Sequence, residues 1–288
     1  MNPQAPQPKG FSRSQLQAML TLLGDEDPSV VERIREHILS AGHVGLDFLE
    51  QNTLHPVPLI RRRVLEILDK CAAHQRDSEF LAFVLSQGEH FDLEEGIWRF
   101  TLTSYPRLNI EGFKAQLDDW SDRIRHAMGN SAGPGVAIDA FNEVLFRQLG
   151  FVGNEADYFN PENSYLNRVM DLRRGIPISL CLVYLLIGKR LGLPLVGIGM
   201  PGHFICRWQT ATEEVFIDPF HLGRLLTRGE CRKRLQDLAI EYDDRHLAPL
   251  SHRRTLTRVV ANLHLIHKER RETATVERFL RYLIALSR

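Results

Sequence analysis

Two short segments of alternating residues place a histidine and an aspartate where they could handle a proton together. Residues 203–208 and Glu214–Asp218 both alternate as half-buried strands do. We predict that they pair as an antiparallel hairpin around Thr210-Ala211, because opposite charges and apolar side chains then meet across the strands. The predicted pairs are His203 with Asp218, Ile205 with Phe216 and Arg207 with Glu214. A carboxylate that orients an imidazole is a unit that enzymes use as a general base.

A long apolar segment precedes these strands. Residues 178–191 are apolar on nearly every helical face, so we predict a buried central helix. Gly175-Ile176-Pro177 leads into it, and proline is well tolerated at the first position of a helix. Leu195–Ile198 follows as a further predicted strand. A buried helix, a strand with histidine and a strand with aspartate therefore succeed one another along the chain.

This order is that of papain-like and transglutaminase-like enzymes, in which a cysteine at a helix N-terminus attacks a carbonyl and histidine accepts its proton. Several short motifs succeed one another in this region: Phe141-Asn-Glu-Val-Leu-Phe146, Gly150-Phe-Val-Gly153, Asn160-Pro-Glu-Asn-Ser-Tyr-Leu166, Arg174-Gly-Ile-Pro-Ile-Ser-Leu180, Arg190-Leu-Gly-Leu193, Pro201-Gly-His-Phe204 and Phe216-Ile-Asp-Pro-Phe220. Over about residues 90–270 the chain therefore resembles the bacterial SirB-one family.

The resemblance implies a transglutaminase-like core behind a helical N-terminal region. His203 matches the histidine of the family's triad, and Asp218 matches its aspartate. In active domains a Gly-x-Cys motif often precedes a Gly-Leu or Gly-Ile turn by about fifteen residues. That turn is Gly192-Leu193 here, and counting back from it places the expected cysteine at Pro177. Because proline has no nucleophilic atom, the resemblance implies an orienting pair that lacks its nucleophile.

Two residues near Pro177 are alternative nucleophiles, Ser179 and Cys181. Each also has a simpler interpretation: Ser179 caps or packs at the helix start, and Cys181 fills the apolar core, where cysteine is common. Cys206 is close to His203 in sequence but is predicted on the opposite strand face. We therefore favour a structural or ligand-binding role for His203 and Asp218 over catalysis.

The N-terminal part of the chain has helical periodicity. Pro28 and Pro58 each open a predicted helix with apolar residues at matching positions, and a weaker copy begins at Leu93. This spacing resembles degenerate HEAT-type helix pairs, although any helical bundle gives a similar pattern.

A glycine- and proline-rich segment, residues 129–135, is the clearest break in the chain, because it cannot continue a helix. We predict that this segment is a linker and that the fold class is α+β, mostly helical, with a small antiparallel sheet. The predicted divisions are a disordered tail at 1–10, a helical, HEAT-like N-terminal domain at 11–128, a transglutaminase-like domain at 136–250 and a C-terminal helical hairpin at 251–288.

The composition argues against several functional classes. Lys plus Arg and Asp plus Glu both number 36, so no net charge favours nucleic acid or a membrane surface. The longest strongly apolar run, residues 178–188, is shorter than the about 18 residues of a membrane span. The four cysteines form no Cys-x-x-Cys pair, and the chain has no His-Glu-x-x-His or nucleotide-binding glycine motif, so no metal or cofactor is predicted. The scattered cysteines and the absence of a secretory signal fit the cytoplasm.

Two functions remain open from the sequence. The first is a catalytically inactive transglutaminase-like protein that binds a protein or peptide partner. The second is a cysteine- or serine-dependent hydrolase or acyltransferase with Cys181 or Ser179 as nucleophile, His203 as base and Asp218 as the orienting group. A scaffold that makes no use of the cleft is a third possibility.

Overall fold

The computed structural model describes residues 11–130 and 133–288. Over these residues no helix has both the length and the apolar character needed to cross a membrane. The helices are α1 (Arg13–Leu22), α2 (Pro28–Ser40), α3 (His43–Gln51), α4 (Pro58–Ser86), α5 (Leu93–Leu102), α6 (Ile110–Met128), α7 (Pro134–Phe141), α8 (Leu166–Leu172), α9 (Pro177–Arg190), α10 (Arg228–Asp237), α11 (His252–Glu269) and α12 (Thr273–Leu286). The strands are β1 (Val152–Gly153), β2 (Arg174–Gly175), β3 (Leu195–Ile198), β4 (Ile205–Gln209), β5 (Glu214–Asp218) and β6 (Arg224–Leu226).

The backbone divides into two compact units. The described part of the first is residues 11–77 with Tyr105–Arg107, and the second comprises Ser78–Ser104 and Leu108–Arg288. These units differ from the predicted division at residues 129–135, because α6 and α7, on either side of that segment, pack together within the second unit. The predicted tail at residues 1–10 lies outside the described residues, as do residues 131–132 of the predicted linker.

The first unit is helical, as the periodicity predicts. Asp27 caps α2 by accepting the Ser29 N–H at 2.8 Å, and Pro28 is the first residue of that helix. Pro58 likewise begins α4. The buried core of this unit includes Leu20, Ile38, Leu49 and Val64. The mostly helical α+β class is confirmed, whereas the HEAT-like label stays a prediction.

The second unit is built on an antiparallel sheet of order β3-β4-β5-β6. Helix α9 packs against β3 and β4, and Ile205 and Phe216 on the other face form an apolar core with Leu235 of α10. Because both faces are covered, β4 is buried over most of its length. The predicted buried helix and the predicted strands Leu195–Ile198 and Glu214–Asp218 are confirmed.

The predicted register of the β4–β5 hairpin is wrong. Glu214 lies opposite Gln209 instead of Arg207, and Phe216 lies opposite Arg207 instead of Ile205. The cause is a turn that lies one residue further along the chain than predicted. The Thr210 N–H donates to the Glu213 carbonyl at 3.0 Å, and the Thr210 hydroxyl accepts the N–H groups of Glu213 and Thr212 at 3.0 and 3.3 Å. An even shift keeps each side chain on its predicted face. Arg207 therefore still reaches Glu214, diagonally, at 2.9 Å.

The predicted C-terminal helical hairpin is confirmed as α11 and α12, which pack together. Arg253 of α11 is buried and donates to the carbonyls of Ala285 and Leu286 at the end of α12, both at 3.0 Å. It also donates to the carbonyls of Val84 and Gln87 at the end of α4, at 3.0 and 3.2 Å. One guanidinium thus satisfies C-terminal carbonyls from two helices of the second unit.

Candidate functional site

The loop before β4 carries His203. Gly202 allows the chain to turn there with φ +67°, and the His203 N–H donates to the Met200 carbonyl at 3.1 Å. Arg258 of α11 donates to the carbonyls of Gly199, Met200 and His203 at 3.2, 3.0 and 3.2 Å. These bonds hold the loop, so α11 as well as the sheet positions the imidazole.

The structure brings His203 and Asp218 together. The imidazole Nε2 lies 2.8 Å from the Oδ2 atom of Asp218, and the two side chains are 1% and 2% exposed. The other carboxylate oxygen accepts the Phe220 N–H at 3.1 Å. Burial by itself raises the pKa of Asp218, but hydrogen bonds and charge from His203, and then from His221, hold it below its ordinary value. The carboxylate therefore stays ionised and orients the rings around it.

His221 is a third member of this cluster that the sequence analysis missed. Its Nδ1 atom lies 2.8 Å from the same Asp218 oxygen, and its side chain is 42% exposed. A short 3₁₀ turn, Pro219–His221, brings the ring back over the carboxylate. The only signal in the sequence is the spacing Asp218-Pro219-Phe220-His221, which places the histidine three residues after the aspartate. Together, one nitrogen of each ring and one carboxylate oxygen lie within 4.8 Å of one another.

The residues at the start of α9 make contacts that stabilise the first turn of the helix. Pro177, the predicted position of the missing nucleophile, is the first residue of the helix and is buried. The Ser179 hydroxyl accepts the Ile176 N–H and donates to the Ile176 carbonyl, both at 3.0 Å. Gly175 leaves room for this hydroxyl, since a Cβ atom there would lie 2.6 Å from it. Ser179 thus holds the first turn of the helix, which matches its simpler interpretation.

Cys181 is fully buried one turn further along α9. Its thiol donates to the Phe204 carbonyl at 3.5 Å, and the Cys206 thiol donates to the Cys181 carbonyl at 3.8 Å. Burial, followed by the neighbouring Cys206 thiol, raises the pKa of Cys181 well above its ordinary value. A thiol in this state is neutral and unreactive, whereas a catalytic cysteine is held as a thiolate.

A row of rings connects the His203–Asp218 pair to the surface. We call Tyr158, Phe159, Phe220 and His221 the aromatic rim. Phe220 lies between the others, with its ring centroid 6.2 Å from that of Tyr158 and 5.2 Å from that of His221. Tyr158 contacts Phe159 at 5.4 Å, and Phe159 is 63% exposed. The rim therefore presents apolar surface beside buried polar groups.

The loop that carries Tyr158 is held by asparagine side chains. The buried Asn163 amide donates to the carbonyls of Asp157 and Tyr158 at 2.7 and 3.2 Å. Asn154 donates to the Asn163 side-chain oxygen at 3.0 Å, and Asn160 caps the following turn by accepting the Glu162 N–H at 3.0 Å. These bonds hold the loop that carries Tyr158 and Phe159 of the aromatic rim.

Comparison with known proteins gives the family. Residues 111–261 match the sequence model of a family that is described as the transglutaminase-like superfamily. A UPF0162 protein of Xylella fastidiosa is 36% identical over 169 residues, which are 57% of this chain and 60% of that protein. A UPF0162 protein of Pseudomonas aeruginosa is 33% identical over 51% of this chain and 55% of its own length. The matched segments thus span only about 55% to 60% of these two relatives.

A eukaryotic protein shares a shorter segment. F-box only protein 21 of Mus musculus is 44% identical over 102 residues, which are 33% of this chain and 16% of that protein. No solved structure matches the chain. Because the family match covers just over half of the sequence and contains the buried helix, the sheet and the His203–Asp218 pair, the chain belongs to the transglutaminase-like superfamily.

Proposed function

We propose that this protein does not carry out cysteine-based acyl transfer and instead binds a protein or peptide segment beside the His203–Asp218 pair. The observation that carries the proposal is Pro177 at the first position of α9, which is the position where the resemblance to the SirB-one family implies a cysteine. A proline keeps the helix start intact and removes the attacking atom. In this proposal the protein is a pseudoenzyme of the SirB-one type.

The contacts of the two alternative nucleophiles support the same conclusion. The Ser179 hydroxyl is engaged by the Ile176 backbone on both its donor and acceptor sides. The pKa of Cys181 is raised by burial, so its thiol is not available as a thiolate. The Ser179 hydroxyl donates to the Ile176 carbonyl and the Cys181 thiol to the Phe204 carbonyl, whereas a serine or cysteine nucleophile donates to an adjacent base.

The aromatic rim supports the binding part of the proposal. Exposed aromatic surface next to buried polar groups is typical of sites that hold an apolar side chain and orient it. The segment shared with F-box only protein 21 is a small part of that chain, which fits a module that works within larger assemblies. The four cysteines are unpaired, which supports a reducing compartment such as the cytoplasm.

Thiol labelling of the native protein tests the catalytic half. We expect a small electrophile to leave Cys181 unmodified until the protein is denatured. A Pro177→Cys variant introduces a thiol at the helix start, and at mildly acidic pH we expect it to react at least about tenfold faster than an ordinary thiol. Pro134→Cys is the matched control, because Pro134 is the first residue of α7.

The labelling results can contradict the proposal in two ways. Labelling of Cys181 in the native wild-type protein, lost in His203→Ala, supports the displaced-nucleophile alternative. Equal reactivity of Pro177→Cys and Pro134→Cys removes Pro177 from the nucleophile position.

Peptide selection tests the binding half. Peptides from a random library selected on the wild-type protein should bind Phe159→Ala at least about tenfold more weakly, since a central aromatic contact is worth over 1 kcal/mol. Leu54→Ala is the control, because Leu54 is also apolar and is 88% exposed in the first unit. Selected peptides that are indifferent to changes at both Phe159 and Tyr158 would contradict binding at the aromatic rim.

One observation favours the alternative enzyme. The bond of 2.8 Å between His203 and Asp218 is the orienting contact of a general base. An acyl-transfer or hydrolysis assay on glutamine-containing peptides separates the two functions. Turnover that is abolished by His203→Ala supports the enzyme, and the absence of turnover supports the binding protein.

A further inference from the structure

Two imidazole nitrogens and one carboxylate oxygen converge at the end of β5. The Nε2 atom of His203 and the Nδ1 atom of His221 each lie 2.8 Å from the same oxygen of Asp218. All three atoms lie within 4.8 Å of one another. An orienting pair needs only one histidine, so the second ring is an addition that general-base chemistry does not explain.

The three atoms form a donor set suited to a transition-metal ion. Two imidazoles and one carboxylate are typical ligands of Zn²⁺ and Fe²⁺, whereas Ca²⁺ and Mg²⁺ prefer sets made of oxygen. Zinc binds such ligands at about 2.0 Å, so a tetrahedral ion would hold the ligand atoms roughly 3.3 Å apart. Each imidazole nitrogen lies 2.8 Å from the carboxylate oxygen, so an ion requires both of these distances to open by about 0.5 Å.

The surroundings hold two of the three ligands in place. Asp218 is fixed through its second oxygen by the Phe220 N–H at 3.1 Å. His203 is fixed by its loop, which Arg258 holds through three carbonyl oxygens. Outer contacts of this kind orient metal ligands and strengthen binding. A metal ion would therefore meet a partly formed site.

The third ligand leaves the site accessible. The His221 side chain is 42% exposed, whereas those of His203 and Asp218 are 1% and 2% exposed. An ion bound here would have protein ligands on one side and solvent on the other. Three protein ligands and an open position are the arrangement of zinc sites that bind a water or an external ligand.

We propose that His203, Asp218 and His221 form a binding site for a divalent transition-metal ion, with the open position facing the aromatic rim. The site does not depend on the loss of cysteine chemistry or on peptide binding. The ion would give the protein a Lewis acid at the place where the family pattern has a general base. A carboxylate or an imidazole of a bound partner could then serve as the fourth ligand.

Zinc titration of the metal-free protein tests the proposal. We expect one zinc ion per chain by calorimetry, and a higher thermal midpoint with zinc than without, because an ion that binds only the folded state stabilises it. His221→Ala should weaken zinc binding at least about tenfold. This variant should fold, because 42% of the His221 side chain is exposed and Asp218 keeps its bond to His203. His126→Ala is the matched control, since His126 is exposed on α6 away from the cluster.

Cobalt gives a second measurement of the same site. Co²⁺ in a four-coordinate site with imidazole ligands absorbs visible light strongly, and we expect this spectrum in the wild-type protein and in His126→Ala but not in His221→Ala. The proposal is overturned if the wild-type protein binds no zinc in competition with a weak chelator. It is also overturned if His221→Ala retains both the wild-type zinc affinity and the cobalt spectrum.

Discussion

The start of α9 and the end of β5 both bury polar side chains, but they use them differently. At the start of α9, the side chains of Ser179 and Cys181 form hydrogen bonds with backbone groups of Ile176 and Phe204. At the end of β5, the side chains of His203 and His221 both form hydrogen bonds with the side chain of Asp218. A polar side chain that is hydrogen-bonded to the backbone stabilises the fold. Side chains that are hydrogen-bonded to one another can exchange these bonds for bonds to a ligand. The identity of the partner, more than burial, separates a structural polar group from a candidate site.

Removal of Asp218 should have the largest effect on this comparison. Asp218→Ala leaves the buried His203 ring and the Phe220 N–H without their acceptor, so we expect a loss of about 3 kcal/mol in the free energy of unfolding. Chemical denaturation followed by tryptophan fluorescence measures it. Asp237→Ala, at the exposed end of α10, is the control. If the two variants are equally stable, the cluster contributes nothing to the fold.

Two glycines give a test of how tightly the end of β5 is packed. Gly223 and Gly192 have similar positive φ angles, +72° and +66°. A Cβ atom at Gly223 would lie 1.8 Å from the Asn142 side-chain oxygen, whereas nothing lies within 4 Å at Gly192. We expect Gly223→Ala to cost about 2 kcal/mol more than Gly192→Ala, because both strain the backbone but only one overpacks the core. Equal unfolding midpoints would mean that Asn142 moves freely.

Ser179→Ala tests the start of α9. The change removes the acceptor of the Ile176 N–H, so we expect a loss of about 1 kcal/mol, as for other capping residues. Ser287→Ala is the matched control, since the Ser287 hydroxyl also donates to a carbonyl three residues earlier but is exposed. It should change stability by less than about 0.5 kcal/mol. If Ser179→Ala lowers the free energy of unfolding by as little as Ser287→Ala does, the Ser179 hydroxyl does not stabilise the start of the helix.

The smallest effect is expected at the aromatic rim. Phe159→Ala should change the free energy of unfolding by less than about 0.5 kcal/mol, because most of the ring is in solvent. Phe220→Ala, at the buried centre of the rim, should lose about 3 kcal/mol. A large loss in Phe159→Ala would make the exposed ring part of the fold and weaken its assignment to binding.

The sequence predicts the helix and the strands of the site better than it predicts how the strands pair. The apolar run of α9 and the alternation of β5 are local patterns, so both elements are confirmed. The hairpin register is wrong because the turn is centred one residue later than predicted, where the Thr210 hydroxyl accepts two backbone N–H groups. His203 and Asp218 still meet, since an even shift preserves the faces.

The parts that the sequence did not predict depend on how a short connection folds the chain back on itself. His221 joins the cluster only because the turn after Asp218 folds back over the carboxylate. The glycine-rich segment at 129–135 looks like a boundary, but α6 packs with α7 across it. Neither contact leaves a periodic pattern in the chain.

The contacts of Arg253 have a consequence for the order in which the second unit folds. Its guanidinium joins the ends of α4 and α12, although the match to the superfamily ends at residue 261, before α12 begins. A growing chain that lacks Ala285 and Leu286 buries an arginine with half of its acceptors missing. We therefore expect this unit to complete its folding only once α12 is available to supply these two carbonyls.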